Sequence, residues 1–348
     1  MITVLEDMRD GVREDGILRA GEILQKGGLV AFPTETVYGL GADALDAGAS
    51  AKIYQAKGRP SDNPLIVHIA DWEAIERITE NRPLQARLLS DAFWPGPLTM
   101  ILKKAAAVPY ATTGGLDTVA VRMPDNPIAL ALIRAGGGYI AAPSANTSGR
   151  PSPTMAQHVA EDMDGVIDMI IDGGPVSIGL ESTIVDLTEE TPTILRPGFI
   201  SQEMLREVIG PVEMDRGLIS EDSSVRPKAP GMKYRHYAPR APLFIVEGDR
   251  TKVLEKINSL TTAEYADGRT PGVIATDETC GCYEHAVVES IGSRADERSI
   301  ARHLYAILRE FDRLGVSVIY SESFETPQMG PAIMNRLMKA AGHQVICV

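Results

Sequence analysis

Hydrophobic positions change period repeatedly along the chain, and the changes mark its elements. Over Asp15 to Gln25, Ile17, Leu18, Ala20 and Leu24 lie on or near one helical face, and Gly27-Gly28 supplies a stop. Leu29 to Phe32 is a short apolar strand that runs into a polar, glycine-rich turn with Gly39 and Gly41. A short helix, Ser50 to Ala56, follows with Ile53 inward, and Pro64 to Ile69 is a strand carrying His68. Two helical stretches, Trp72 to Thr79 and Pro83 to Phe93, end at Trp94-Pro95-Gly96-Pro97. Leu98 to Leu102 and Thr118 to Met123 are strands. The second alternates in period two, so Thr118 and Arg122 share a face. A helix over Ile128 to Ala135 is ended by three glycines, and Tyr139 to Ala142 is a buried strand opening into PSANTSGRPSPT. Strands at Met169 to Ile171, Ser182 to Leu187 and Thr193 to Arg196 precede a helix, Gln202 to Val208, capped by Ser201.

From Met214 to Pro239 the apolar periodicity disappears, and the composition is that of a linker. Its segment APGMKYRHYAP carries two tyrosines, a histidine and two cations, which suits contact with a ligand better than passive spacing. Beyond it the pattern is simpler. Strands at Leu243 to Val246, Gly272 to Ala275, Val316 to Tyr320 and Gln344 to Cys347 alternate with helices at Thr251 to Leu260, Glu297 to Leu314 and Gly330 to Ala341. Ile300, Leu304, Ile307, Leu308, Phe311 and Leu314 form one helical stripe. Repeated strand–helix–strand spacing argues for a small parallel sheet. The expected class is α/β, with boundaries at 13–210 for a first domain, 211–240 for a linker or lid and 241–348 for a second domain.

Composition changes little in this picture. Hydrophobic residues at 44% and charged residues at 23% allow an ordinary core. A net charge of -13 argues against a broad nucleic-acid surface, although a local basic pocket remains open. The acidic start has no signal-peptide pattern, and no segment approaches the roughly 18 apolar residues of a membrane span. A cytoplasmic protein is expected, with Cys280, Cys282 and Cys347 as reduced thiols and no zinc spacing.

The candidate chemistry centres on FPTETVYGLGADALDAGASAKIYQAKGR and on Pro143-Ser144-Ala145-Asn146. Small hydroxyls (Thr34, Thr36), two glycines and the cations Lys57 and Arg59 suit a small polar molecule beside an anion such as a phosphate. A turn followed by a solvated helix end is the plain alternative. Gly39-Leu-Gly-Ala-Asp-Ala44 imitates a dinucleotide fingerprint, but no long helix begins there. Polar residues recur at strand ends: Thr36, Asn63, His68, Thr118, Arg122, Ser144, Asn146, Ser152, Ser182 and Arg196. Each has a structural alternative; His68, for instance, can be a hydrogen-bonded core histidine. If Lys57, Arg59, Arg122 and Arg196 converge, a polyanionic ligand explains them jointly. No arrangement for covalent catalysis stands out.

Lys57-x-Arg59 and Ser144-x-Asn146, together with FPTETVYGLG, NPLIVHI, WPGPLT, TVAVRMP, PSAN and STIVDL, resemble the signature of the YrdC-like family. The linker and tail match its long, two-domain threonylcarbamoyl-AMP synthase form. The resemblance implies an N-terminal twisted mixed sheet with helices and a smaller Rossmann-like C-terminal domain. It implies an enzyme that joins L-threonine, bicarbonate and ATP, releases pyrophosphate, and feeds a tRNA-modifying complex acting beside the anticodon. By the family pattern Thr36, His68, Arg122, Ser182 and the backbone at Ala142 would hold threonine. Arg59, Asn63, Thr118, Ser144, Asn146, Ser152, Arg196 and Tyr234 would hold ATP, with Lys57 along the phosphates and Lys57 and Arg59 as the catalytic pair. Mg²⁺ would accompany ATP. A double-stranded RNA-binding module and a protein-directed carbamoyltransferase of the same fold are the rival readings; the acidic balance disfavours the first, and no acylphosphatase-like or zinc-finger segment supports the second.

Overall fold

The computed structural model describes residues 2–215, 236–324 and 326–348; Tyr234 and most of the expected lid lie outside the described residues. The described chain forms two compact units. The first takes 2–148, 152–177 and 181–215, and the second takes 236–348 with the short pieces 149–151 and 178–180.

The first unit runs β1 (Val4–Asp7), α1 (Glu14–Gln25), β2 (Val30–Phe32), β3 (Gly39–Asp43), α2 (Ala47–Lys57), β4 (Ile66–His68), α3 (Ile75–Ile78), α4 (Leu84–Phe93), β5 (Leu98–Lys103) and β6 (Thr118–Arg122). It continues through α5 (Pro127–Ala135), β7 (Ile140–Ala142), α6 (Ala156–Met163), β8 (Met169–Asp172), β9 (Thr183–Asp186), β10 (Thr193–Arg196), α7 (Gln202–Ile209) and β11 (Glu213–Met214). The strands form one eleven-stranded mixed sheet in the order β1-β8-β2-β3-β7-β4-β6-β5-β9-β10-β11. β1 thus joins the sheet ahead of residue 13, and β11 pairs with β10.

Strand alternation assigns the two faces. Ala31, Leu40, Val67, Val121 and Ala141 pack with Ile53 of α2, Leu89 of α4, Val159 of α6 and Leu205 of α7. On the opposite face Val30, Phe32, Ile140 and Ala142 pack with Ile17 and Leu24 of α1 and Ile128 and Leu132 of α5. That second face continues across the sheet as Ile66, Ala120, Ile101 and Ile184, with Leu195, and it carries the polar residues described below.

The glycine-rich stretch read from sequence as a turn is β3, antiparallel to both β2 and β7. Close packing explains its glycines. A Cβ on Gly41 would lie 2.9 Å from Ile140 Cγ2 and 3.0 Å from the Phe32 ring. The dinucleotide look-alike is therefore a strand crossed at short range by its neighbours. The segment after PSAN, which sequence left without an element, contains α6.

The second unit comprises β12 (Leu243–Glu247), α8 (Arg250–Ala266), β13 (Pro271–Ala275), β14 (Val287–Ser290), α9 (Glu297–Leu314), β15 (Val318–Glu322), α10 (Gly330–Ala341) and β16 (Val345–Cys347). All strand pairs are parallel, in the order β14-β13-β15-β12-β16. The expected parallel sheet is present, with β14 as a strand that sequence did not suggest. Cys280, Cys282 and Cys347 are free and exposed.

Candidate active site

Strand register brings distant residues of the first unit into one row. His68 of β4 lies opposite Arg122 of β6, and Arg122 lies opposite Thr99 of β5. Thr99 lies opposite Ile184 of β9, and Ile184 lies opposite Arg196 of β10. Residues directly opposite across a ladder project to the same face, so these side chains share one side of five adjacent strands. Arg122 and Arg196 stand three strand spacings apart, roughly 14 Å along the sheet. That span suits two neighbouring ligand groups better than one small anion.

The turn before β3 supplies the partners of Arg122. Thr34 Oγ1 donates to the Val37 carbonyl at 2.7 Å and accepts from the Thr36 and Val37 N–H groups at 3.1 and 3.2 Å. Its proton is thereby committed, so the Thr36 hydroxyl donates to it at 2.9 Å and accepts from Arg122 Nη1 at 2.9 Å. Arg122 Nε donates to the Gly96 carbonyl at 3.4 Å. Arg122 Nη2 lies 2.7 Å from Glu35 Oε2, an ion pair with both side chains nearly enclosed.

His68 is buried and edge-on to Phe32, with ring centroids 6.1 Å apart. Burial above all, and then the Arg122 charge, pushes its pKa down to about 3. The ring is thus neutral at neutral pH. Nδ1–H donates to the Ile66 carbonyl at 3.1 Å.

Farther along the row, Ser182 Oγ shares a hydrogen with Thr99 Oγ1 at 2.7 Å and accepts from Arg196 Nη2 at 3.2 Å. Arg196 Nε donates to the Ser182 carbonyl at 3.0 Å. Ser152 Oγ donates to Glu181 Oε1 at 2.6 Å, beside Ser182 in sequence. Backbone bonds knit these segments together: Tyr38 N–H donates to the Pro153 carbonyl and Ala145 N–H to the Tyr38 carbonyl.

The end of α2 forms a second group. Asp46 caps the helix start, accepting from Gly48 N–H at 2.7 Å, and Gly58 ends it at φ 60, the left-handed conformation a C-cap glycine allows. Lys57 is 1% exposed, so its ammonium depends on protein oxygens for solvation. Nζ donates to the Ser144 carbonyl at 2.5 Å, the Asn146 carbonyl, and Asn146 Oδ1 at 3.3 Å. Ser144 Oγ also donates to Asn146 Oδ1, at 2.5 Å. Half-buried Arg59 donates to the carbonyls of Asn63 and Pro64, both at 3.3 Å. Asn63 is buried, and its Oδ1 has no donor among the described residues.

Thr118 begins β6, half-buried and on the face that carries Arg122, and Ala142 ends β7 opposite Ile66. Hydrogen bonds and strand register therefore connect Thr36, His68, Arg122, Ser182 and Arg196, and hydrogen bonds join Lys57 to Ser144 and Asn146. Arg59 and Asn63 form a third small group leading into β4. Sequence reasoning overlooked Glu35, Glu181 and Thr99. Glu35 sits between the two singled-out threonines and Glu181 beside Ser182, so a search for internal anions to balance the four cations would have found both carboxylates.

The described residues gather no group of three or more His, Cys, Asp or Glu side chains able to hold a metal ion. No described helix is long and apolar enough to cross a membrane.

Two family models match the chain: "Telomere recombination", the Sua5/YciO/YrdC model, over residues 22–198, and "Threonylcarbamoyl-AMP synthase, C-terminal domain" over 200–342. The threonylcarbamoyl-AMP synthase of Bacillus subtilis is 53% identical, covering 95% of this chain and 94% of its own length. The protein of the same name from Pyrococcus abyssi is 49% identical over the whole of both chains. The crystal structure of P. abyssi Sua5 complexed with L-threonine is similar with a TM-score of 0.94, over 99% of this chain and 100% of that one.

Proposed function

The chain belongs to the threonylcarbamoyl-AMP synthase family, and we propose from that premise how its first unit joins L-threonine, bicarbonate and ATP. The observation that carries this reading is the row of His68, Arg122, Thr99 and Arg196 set across five strands, with Ser182 bonded to its far end. Arg122 is assigned the threonine carboxylate, which a guanidinium fork matches. Thr36, His68, Ser182 and the Ala142 backbone complete that half. Arg196, Arg59, Asn63, Thr118, Ser144, Asn146 and Ser152 are assigned to ATP, with Tyr234 as an eighth. The unpaired Asn63 Oδ1 is an acceptor suited to a donor on the nucleotide.

The chemistry needs no protein nucleophile. Threonine's free amine attacks bicarbonate; an N–C bond forms and water leaves, giving a carbamate. A carbamate oxygen then attacks the α-phosphorus, the bond to the β-phosphate bridge breaks, and pyrophosphate departs. Both steps require anions held close together, and the cations stabilise that arrangement. Lys57 acts through the loop it fastens, fixing Ser144 and Asn146. Mg²⁺ is assigned as the companion of ATP, where it would neutralise triphosphate charge. The product is labile, so delivery to a tRNA-modifying complex in the cytoplasm completes the reading.

The test is pyrophosphate release from ATP and bicarbonate with each amino acid in turn. Release that depends on threonine is expected, and serine tests selectivity, since one methyl is worth only about 1–3 kcal/mol. No release with any amino acid would overturn the reading.

A further inference from the structure

Glu35 is 7% exposed, and neither carboxylate oxygen has a hydrogen-bond donor among the described residues. Oε2 lies 2.7 Å from Arg122 Nη2, but that pair is off the hydrogen-bonding line, and Nη2 likewise has no acceptor. The backbone on either side is locked. Thr34 Oγ1 takes the two following N–H groups, and Ser177 Oγ donates to the Glu35 carbonyl at 3.3 Å. An enclosed carboxylate lacking donors carries a desolvation cost that its one cation only partly offsets. It is held in place, and it is waiting for a donor.

Resting on the threonine reading above, we infer that Glu35 binds the α-ammonium of the amino-acid substrate. The ammonium and carboxylate of an α-amino acid are attached to one carbon, so their partners must be neighbours, as Glu35 and Arg122 are. Charge supports the same assignment. The Arg122–Glu35 pair is neutral, and a lone carboxylate bound to it would leave net negative charge in an enclosed site beside a triphosphate. A zwitterion instead alternates the signs: guanidinium with carboxylate, ammonium with Glu35. Glu35 thereby sets specificity for amino acids over hydroxy acids, complementing the residues around Arg122.

The experiment is calorimetric titration of the full chain with L-threonine and with 2,3-dihydroxybutanoate, in which a hydroxyl replaces the amine. Wild type should bind threonine about ten- to a hundredfold more tightly, the ratio expected when a charged partner is left unmatched. Glu35→Gln should remove most of that preference by weakening threonine alone, and Glu35→Asp should keep part of it. The inference is overturned if wild type binds both compounds alike, a result that needs no variant to fold. It is also overturned if Glu35→Gln weakens both compounds equally, since Glu35 would then act only by holding Arg122, or if it leaves threonine affinity intact. Absence of threonine binding by wild type would defeat the functional reading itself, and is thus distinguishable from failure at Glu35.

Discussion

Replacing His68 with Asn should make the first unit less sensitive to acid. The folded state keeps this ring neutral down to about 3, whereas the unfolded chain takes its proton near the ordinary 6.5. Because the folded pKa is the lower one, the unfolded state binds the extra proton between those values. Stability is therefore lost as pH falls through 6.5, and the loss continues toward 3. At pH 5 the unfolded state gains 1.36 × log(1 + 10^1.5), and at pH 7 it gains 1.36 × log(1 + 10^-0.5), so acidification across that window costs about 2 kcal/mol. The assay is urea unfolding at pH 7, 6 and 5, followed by tryptophan fluorescence. The chain's two tryptophans, Trp72 and Trp94, both lie in the first unit, with rings 6.3 Å apart, so the signal reports that unit. Subtracting the variant's curve cancels the other histidines and the carboxylates. The gap between wild type and His68→Asn should shrink by about 2 kcal/mol from pH 7 to pH 5. Parallel losses in the two proteins would refute both the burial argument and the neutral assignment of the ring.

Arg122→Met should cost about 3–5 kcal/mol in the same unfolding assay by stranding enclosed Glu35, and the double variant with Glu35→Gln should recover part of it; a single-variant cost below about 1 kcal/mol would mean the pair is not enclosed. Sequence alone leads one to expect that removing either cation of the Lys57–Arg59 pair harms turnover far more than stability. The structure separates them: Lys57→Met should also lose about 2–3 kcal/mol by removing the buried ammonium to which the Ser144 and Asn146 carbonyls bond, while Arg59→Met should lose less than about 1. Equal melting temperatures for the two variants would contradict that separation. Gly41→Ala should destabilise by about 1–3 kcal/mol through collision with Ile140 and Phe32, and an unchanged melting temperature would argue against the strand packing.

Much of this fold could be read from the chain because local signals agreed with one another. The Asp46 cap and Gly58 stop bound α2, and the stripe on α9 is buried from Ile300 to Phe311 as its spacing implies, although Leu314 at its end is exposed. Strands at sheet edges were harder to see. In β1 only Glu6 of four residues is buried, so no apolar alternation marks it, and every residue of β14 is half-buried. α6 offers only Val159 and Met163 as long apolar side chains after a proline- and serine-rich approach. β3 failed for the opposite reason, since its glycines serve close strand packing and also look like turn residues. At the site, residue types were visible, but register was not. Nothing local to Arg122 or Arg196 says that Thr99 and Ile184 stand between them. Nor does local sequence show that Glu35, rather than a ligand alone, faces the Arg122 charge.

The central claim is that this sheet face holds threonine, bicarbonate carbon and nucleotide in one site. The most direct measurement is mass analysis of the quenched product formed from ATP with carbon-labelled bicarbonate and, separately, carbon-labelled threonine. A nucleotide adduct that takes up the label in each of the two reactions, formed as pyrophosphate appears, is the predicted result. An adduct that takes the threonine label without the bicarbonate label would mean that the amino-acid carboxylate itself attacks ATP, and would contradict the account.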